Sequence, residues 1–362
     1  MTIEYVTPLT VDPVFLQDQT SREVEAVFTQ MMDTFHSLPE VWDNELDRQI
    51  HKWYSEVEDV YPKYPYFSPS SVYACPRSLY YKDRRAEKDD FTIQPHQARW
   101  QRAGTSTGDW VQRDLLMIES RFEEMTGFEP PFTMKRTEKG EPFFEEFAKA
   151  NVPVSVDVEG TEVNFHLTGS PDGVMKYTTI SGEEIEVGLE IKSKQTTPAR
   201  TSQHSMRSAE IGHILQAITY SIMYDVDYYV VVYFNLAKKS WKLEEDEYEK
   251  TPDMRVFAYH FDEYTKQTVL NYLATLRKMF DEGAKPYPDI MQWSFNPYKI
   301  VTATELSEEE YDQIVEQVRG IVENKNLRMF DKKKAREALS EINEIRQYYD
   351  LEVQGERLYE ED

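Results

Sequence analysis

Apolar residues along this chain change period several times, and each change marks an element. Over residues 21–60 they recur every three to four positions in two stretches parted by Ser37-Leu38-Pro39, which predicts two amphipathic helices. Residues 61–69 (YPKYPYFSP) carry too many prolines for regular structure and read as a linker or wrapping loop. Over residues 97–125 helical spacing returns, through Trp100, Ala103, Trp110, Val111, Leu115, Leu116, Ile118 and Phe122. The period then falls to two. Residues 152–158 and 163–167 alternate on either side of Glu159-Gly160, which predicts a hairpin, and residues 174–177 and 185–192 predict two more strands around Ser181-Gly182. Residues 208–225 are helical again, with Ile211, Leu215, Ile218 and Ile222 on one face. Residues 228–236 (YYVVVYFNL) are apolar almost throughout, as in a central strand covered on both faces. Residues 262–282 and 307–349 read as helices, the second in at least two pieces with Lys332, Lys333 and Lys334 between them.

This order predicts an α/β protein: a mixed central sheet flanked by helices, with helical extensions at both ends. The divisions expected are 1–66, a helical extension; 67–300, the core; and 301–362, an acidic helical extension. The chain has 362 residues, 40% of them hydrophobic and 13% aromatic, enough to bury a core without disulfides or structural metal. A single cysteine, Cys75, excludes a disulfide framework and any four-cysteine metal or iron–sulfur site within one chain. The opening residues 1–13 have no basic and apolar leader pattern, and no stretch approaches a membrane span, so a soluble cytoplasmic protein without membrane contact is expected.

Net charge changes the picture twice. At −25 the chain first looks unsuited to nucleic acid, whose phosphates need positive charge. The acidity is uneven, however. Residues 1–66 carry 13 acids and 4 bases and residues 302–362 carry 17 acids and 9 bases, leaving a net −8 for the 235 residues between. Within that middle, residues 192–207 (KSKQTTPARTSQHSMR) hold four bases and no acid, and residues 75–85 (CPRSLYYKDRR) hold four bases against Asp83. An acidic exterior around a locally basic cleft remains compatible with DNA.

The sharpest chemistry lies between Gly169 and Lys194. Asp172 follows a strand and a Ser-Pro turn; Glu190-Ile191-Lys192 comes near the end of the next strand. Residues two apart in a strand share a face, so Glu190 and Lys192 point together, and the hairpin brings Asp172 beside them. Two carboxylates at one point repel unless a cation separates them, and oxygen donors, including the Ile191 carbonyl, suit Mg²⁺ or Mn²⁺. Lys192 would orient or deprotonate an attacking water and offset transition-state charge. His213, Gln216 and Tyr220 share one face of the following helix. A second E-x-K triplet, Glu323-Asn324-Lys325, has no such surroundings.

With these residues in place the chain resembles the PD-(D/E)XK nuclease superfamily, in its RecB-like branch of phage-type exonucleases and CRISPR-associated nucleases. The resemblance rests on Asp172, Glu190-Ile191-Lys192 and Gln216-x-x-x-Tyr220. It extends to Ser68-Pro-Ser-Ser71, Cys75-Pro-Arg-x-x-Tyr-Tyr81, and Gly104-Thr105 with Gln112, covering roughly residues 68–236. It implies a restriction-endonuclease-like core and catalytic roles for Asp172, Glu190, Lys192, Gln216 and Tyr220. The metal would be held by Asp172, Glu190 and Ile191. The histidine ligand of that branch falls at Gly108; Asp109 is the adjacent carboxylate able to stand in for it. The three further cysteines of the cluster-bearing relatives are missing, so no iron–sulfur cluster is expected.

The activity implied is a metal-dependent DNase, an exonuclease or flap-processing enzyme of phage or bacterial recombination, repair or replication. It would act in the cytoplasm, that of the bacterial host if phage-encoded, on single-stranded DNA or duplex ends. Arg77, Arg113, Lys194, Arg200 and Arg207 are the bases expected on phosphates, and the aromatics of residues 61–67 are candidates to stack on unpaired bases. The acidic helical ends would meet a recombination or replication protein, or mimic DNA toward a basic partner. The alternative is a nuclease fold kept as a DNA- or protein-binding module. No phosphate-cradling glycine loop and no nucleophile elbow is present.

Overall fold

In the computed structural model, residues 9–90, 92–237 and 240–360 are described. Residues 1–8 of the leader reading lie outside them. The helices are α1 (Gln19–His36), α2 (Asn44–Ser55), α3 (Pro76–Asp83), α4 (Pro95–Thr126), α5 (Ile211–Tyr224), α6 (Glu245–Lys250), α7 (Glu263–Asp281), α8 (Lys299–Thr304), α9 (Glu308–Glu323) and α10 (Met329–Glu360). The strands are β1 (Tyr66–Phe67), β2 (Phe132–Met134), β3 (Ala150–Val158), β4 (Thr161–Gly169), β5 (Gly173–Thr178), β6 (Glu184–Lys194), β7 (Tyr228–Asn235) and β8 (Met254–His260). Among the described residues, no helix is long and apolar enough to cross a membrane.

The expected architecture is the one found: a mixed sheet of order β2-β5-β6-β7-β8, flanked by helices on both faces. Only β6 and β7 run parallel; the other pairs are antiparallel. β7 explains the layering. Tyr229, Val231 and Tyr233 pack with Leu215 and Ile218 of α5 and Leu273 of α7, while Val230, Val232 and Phe234 pack with Phe28 and Met32 of α1 and Val111 and Leu115 of α4. Apolar residues on both faces are what a strand between two helical layers requires. At Gly188 of β6 a Cβ would lie 2.0 Å from the Tyr229 ring of its β7 neighbour, so only glycine fits beneath Glu190.

The hairpin around Glu159-Gly160 forms as expected, with both turn residues at positive φ. It does not join the main sheet. β3 and β4 form a separate sheet with β1, which pairs parallel to β4. The proline-rich stretch therefore ends as an edge strand. Its tyrosines are engaged within the chain, Tyr66 under Lys82 and Tyr64 under Arg85, at 5.0 and 4.8 Å from the ring centroids.

The N-terminal segment is more than an appendage, because α1 covers β7 and β8 with Val24, Phe28, Met31 and Met32. Residues 287–342 build a small core of their own around Ile290, Trp293, Ile314 and Ile342. The break in the last helical stretch falls over residues 324–328, where Asn324 caps α9 in an extended conformation. The expectation of a break at Lys332–Lys334 is thereby corrected: the three lysines lie inside α10. Three consecutive cations project around a helix rather than interrupt it, whereas an asparagine turn ends one.

Candidate active site

β5 begins opposite Leu189, so β6 runs on past its neighbour and leaves an open edge at residues 190–194. Asp172, in the turn just before β5, closes part of this gap: its Oδ2 accepts from the Ile191 N–H at 2.5 Å. In a strand, the N–H and C=O of one residue point to the same side. The Ile191 carbonyl therefore opens toward the same gap as the Asp172 carboxylate. Glu190 and Lys192 project to the other face, toward α5. Glu190 is only 1% exposed, one of its oxygens is paired with the Lys192 ammonium, and its Oε2 has no hydrogen-bond partner.

Helices on both sides fix these groups. On α5, Gln216 Oε1 accepts from Lys192 Nζ at 3.2 Å, and the Gln216 amide pairs with the buried Tyr220 hydroxyl. One turn back, His213 Nδ1 lies 2.8 Å from the Tyr233 hydroxyl, and burial first, then Lys192, lowers its pKa to about 3. The His213–Gln216–Tyr220 face is thus packed on the sheet. On α4, Gln112 donates Nε2 to the Asp172 carbonyl at 2.8 Å while its own Oε1 is buried without a partner. Gly104 lies two turns earlier on this stripe, where a Cβ would meet Ser193 Oγ at 3.4 Å. Gly108, between them, faces open space: nothing lies within 4 Å of a Cβ built there. Asp109 is exposed.

One carboxylate here carried no sequence signal. Glu145 sits half-buried in the loop before β3, where neither periodicity nor a motif marks it. Burial first, then the charges of Asp172, Glu146 and Asp109, push its pKa up to about 7. Burial and then Asp172 push Glu190 up to about 8 against the opposing pull of Lys192, with Glu145 adding to the rise. Burial likewise raises Asp172, against Lys192 and the Ile191 N–H. Burial works against the charge on Lys192, but Glu190 and Asp172 more than reverse this, so it holds its proton above the normal lysine range.

These shifts have a consequence for stability. Glu190 and Glu145 bind protons more tightly folded than unfolded, so between the unfolded value of 4.5 and about 8 the folded state holds more protons. Stability contributed by these groups is full below that window and is lost as pH rises through it. Without divalent cations, Tm is expected to fall from about pH 5 to about pH 8, less steeply in Glu190→Gln, and Mn²⁺ is expected to raise Tm more at the higher pH. Thermal melts across this range check it; an identical pH slope in both proteins contradicts it.

The donors at the gap, two carboxylates and a carbonyl, are hard oxygens that fit Mg²⁺ or Mn²⁺. The unpartnered Glu190 Oε2 leaves a buried lone pair for such a cation. Among the described residues, no three His, Cys, Asp or Glu side chains already converge as a ligand set.

The bases named for phosphate contact fare unequally. Arg77 has no exposed surface; its guanidinium pairs with Glu310 of α9, and Nε donates to the Pro286 carbonyl at 2.6 Å. Its expected phosphate role is corrected: it is an internal tie between α3 and the C-terminal helices. Beside it, Cys75 is buried and its Sγ accepts from the Asp289 N–H at 3.3 Å. Arg113 is held by Asp47 of α2 at 2.8 Å, and Lys194 by Glu210 at 2.6 Å. Arg200 and Arg207 are exposed on the segment after β6. The structure adds Arg99 and Arg102, exposed at the start of α4 around Trp100, whose carbonyl accepts from Gln195 Nε2 at 3.0 Å.

No family model matches the chain, and no curated protein matches it in sequence. Several solved structures overlap it, three of which follow. A protein designated SSO0001 covers 72% of this chain and 95% of its own, at 12% identity and a TM-score of 0.34. An alkaline exonuclease from Laribacter hongkongensis covers 60% and 90%, at 13% identity and 0.27. A phage-related exonuclease from Haemophilus somnus 129PT covers 59% and 81%, at 14% identity and 0.28.

Proposed function

We propose that this chain is a divalent-metal-dependent deoxyribonuclease, an exonuclease or flap-processing enzyme serving DNA recombination, repair or replication. The observation that carries this reading is the open edge of β6. There the Asp172 carboxylate, the Ile191 carbonyl and the buried, half-satisfied Glu190 adjoin one retained ammonium, Lys192. Asp172, Glu190 and Ile191 would hold Mg²⁺ or Mn²⁺, and when bound the ion polarises the scissile phosphate and acidifies a water.

The remaining tasks belong to the chain. Lys192 keeps its proton, so it acts as a donor that orients water and offsets charge on the phosphorane-like transition state, rather than as a base. Gln216 fixes the height of that ammonium, and Tyr220 fixes Gln216. Gln112 holds the Asp172 turn by its carbonyl and leaves the carboxylate free to turn toward the gap. DNA would approach over the segment bearing Arg200 and Arg207 and the start of α4 bearing Arg99, Trp100 and Arg102, with Lys194 released from Glu210 on phosphate contact. The acidic termini would limit non-specific binding and offer a face to a recombination or replication protein. The cytoplasm of a bacterial host is the compartment consistent with this role.

The experiment is incubation with end-labelled linear, flapped and closed-circular DNA in Mg²⁺ or Mn²⁺. Mononucleotides or released flaps from open DNA, with circles intact, are expected. A second reading, a nuclease fold kept for binding, is favoured by the absence of three converged ligands among the described residues. DNA binding without cleavage in every metal would establish it instead.

A further inference from the structure

An oxygen-lined gap with two side-chain carboxylates and a carbonyl leaves positions open around a hard divalent cation, which takes about six oxygens. α4 runs over the gap, but at Gly108, the position between its contacts to Ser193 and Asp172, it brings no side chain. Opposite stands the loop of Glu145, and its backbone is tied to the Asp172 turn at both ends. The Phe143 carbonyl accepts from the Val174 N–H, two residues after Asp172, at 3.2 Å. The Tyr224 hydroxyl links the Ala148 and Gly169 carbonyls at 2.6 and 2.9 Å, and Gly169 begins the turn. Glu145 therefore lies on a loop clamped across residues 169–174.

Its side chain is half-buried, and among the described residues it has neither a hydrogen bond nor an ion pair. A carboxylate in that state costs free energy unless something positive meets it. A second observation points to what that is: Glu190 Oε2 and Gln112 Oε1, both on residues more than nine-tenths buried, have no donor. Both residues adjoin Asp172, Gln112 through its bond to the Asp172 carbonyl and Glu190 as the neighbour of Ile191, whose N–H Asp172 accepts. Two buried acceptors without donors and an unpaired carboxylate, all on residues tied to the Asp172 turn or its neighbours, call for a cation more than for further hydrogen bonds.

We propose that Glu145 is the third carboxylate ligand of the divalent cation, supplying from the loop before β3 the donor that Gly108 does not supply from α4. This rests on the metal-dependent reading above and names a ligand that reading lacked. The assignment displaces Asp109, which is exposed on α4 one position beyond Gly108.

Calorimetric titration of the full chain with Mn²⁺ tests it without reference to cleavage. Glu145→Gln is expected to weaken Mn²⁺ binding about tenfold to a hundredfold, Asp109→Asn to leave it within about twofold, and Glu190→Gln to abolish it. Because a Cβ at Gly108 has open space, Gly108→His is expected to restore affinity in the Glu145→Gln background. Thermal melts of each variant show that the fold is kept. Unchanged Mn²⁺ affinity in Glu145→Gln, with loss in Glu190→Gln, overturns the role of Glu145 and leaves the nuclease reading standing. Absence of Mn²⁺ binding by the unaltered chain overturns both.

Discussion

Lys192→Ala is expected to lower the single-turnover rate of phosphodiester hydrolysis by about 10²–10³, the scale of removing one preorganised donor from a reacting centre. The ammonium is held at two points, by Glu190 and by Gln216 Oε1, and it keeps its proton because two carboxylates flank it. Removing it leaves the transition-state charge uncompensated and leaves both Glu190 oxygens without a donor. DNA affinity should change little, because phosphate contact is assigned to residues elsewhere. A rate at saturating metal and DNA, measured beside a binding titration, separates the two. Equal loss in binding and rate would make Lys192 a grip on the backbone instead.

Arg77→Ala is expected to destabilise the chain by about 3–5 kcal/mol, the cost of breaking a buried ion pair by removing one partner. The guanidinium is wholly buried, bound to Glu310 on α9 and to the Pro286 carbonyl, and so joins α3 to the small C-terminal core. Tyr81, whose hydroxyl donates to Glu305 at 2.7 Å, and Asp89, which accepts from the Lys299 N–H at 2.5 Å, reinforce the same seam. Denaturant unfolding of Arg77→Ala and Glu310→Ala should show comparable losses. A stable Arg77→Ala protein with weakened DNA binding would return this residue to the phosphate role its sequence surroundings suggested.

Much of the centre is legible in the sequence. A two-residue spacing in a strand fixes Glu190 and Lys192 to one face, and a Ser-Pro turn brings Asp172 to the strand's open edge; both are local rules. The apolar run of β7 disclosed a sheet covered on both sides for the same reason. Partnership was not legible. Arg77 in a run of bases looks like a surface cation, and only the fold shows that Glu310, more than two hundred residues later, neutralises it. Glu145 failed to register because a loop carboxylate obeys no period; its meaning comes from backbone bonds to residues 169–174. β8 (Met254–His260) escaped because Arg255 and His260 interrupt its apolar pattern at an edge of the sheet. The Cys75-Pro76-Arg77 stretch stands out as a motif, yet no period marks its helix, which is short and buried along most of its length.

Net charge illustrates the same division. The −25 of the whole chain describes its ends and outer helices, while the gap beside β6 is governed by a few largely buried groups that act on one another at close range. The central claim is that a single divalent cation, held at Asp172 and Glu190, turns this carboxylate–lysine cluster into a phosphodiesterase. Single-turnover cleavage of labelled linear DNA, with Mn²⁺ titrated from a chelated baseline, tests it most directly in the unaltered chain and in Glu190→Gln. The account expects saturable Mn²⁺-dependent cleavage by the first and none by the second. Cleavage by both without metal, or by neither with any divalent cation, would contradict it.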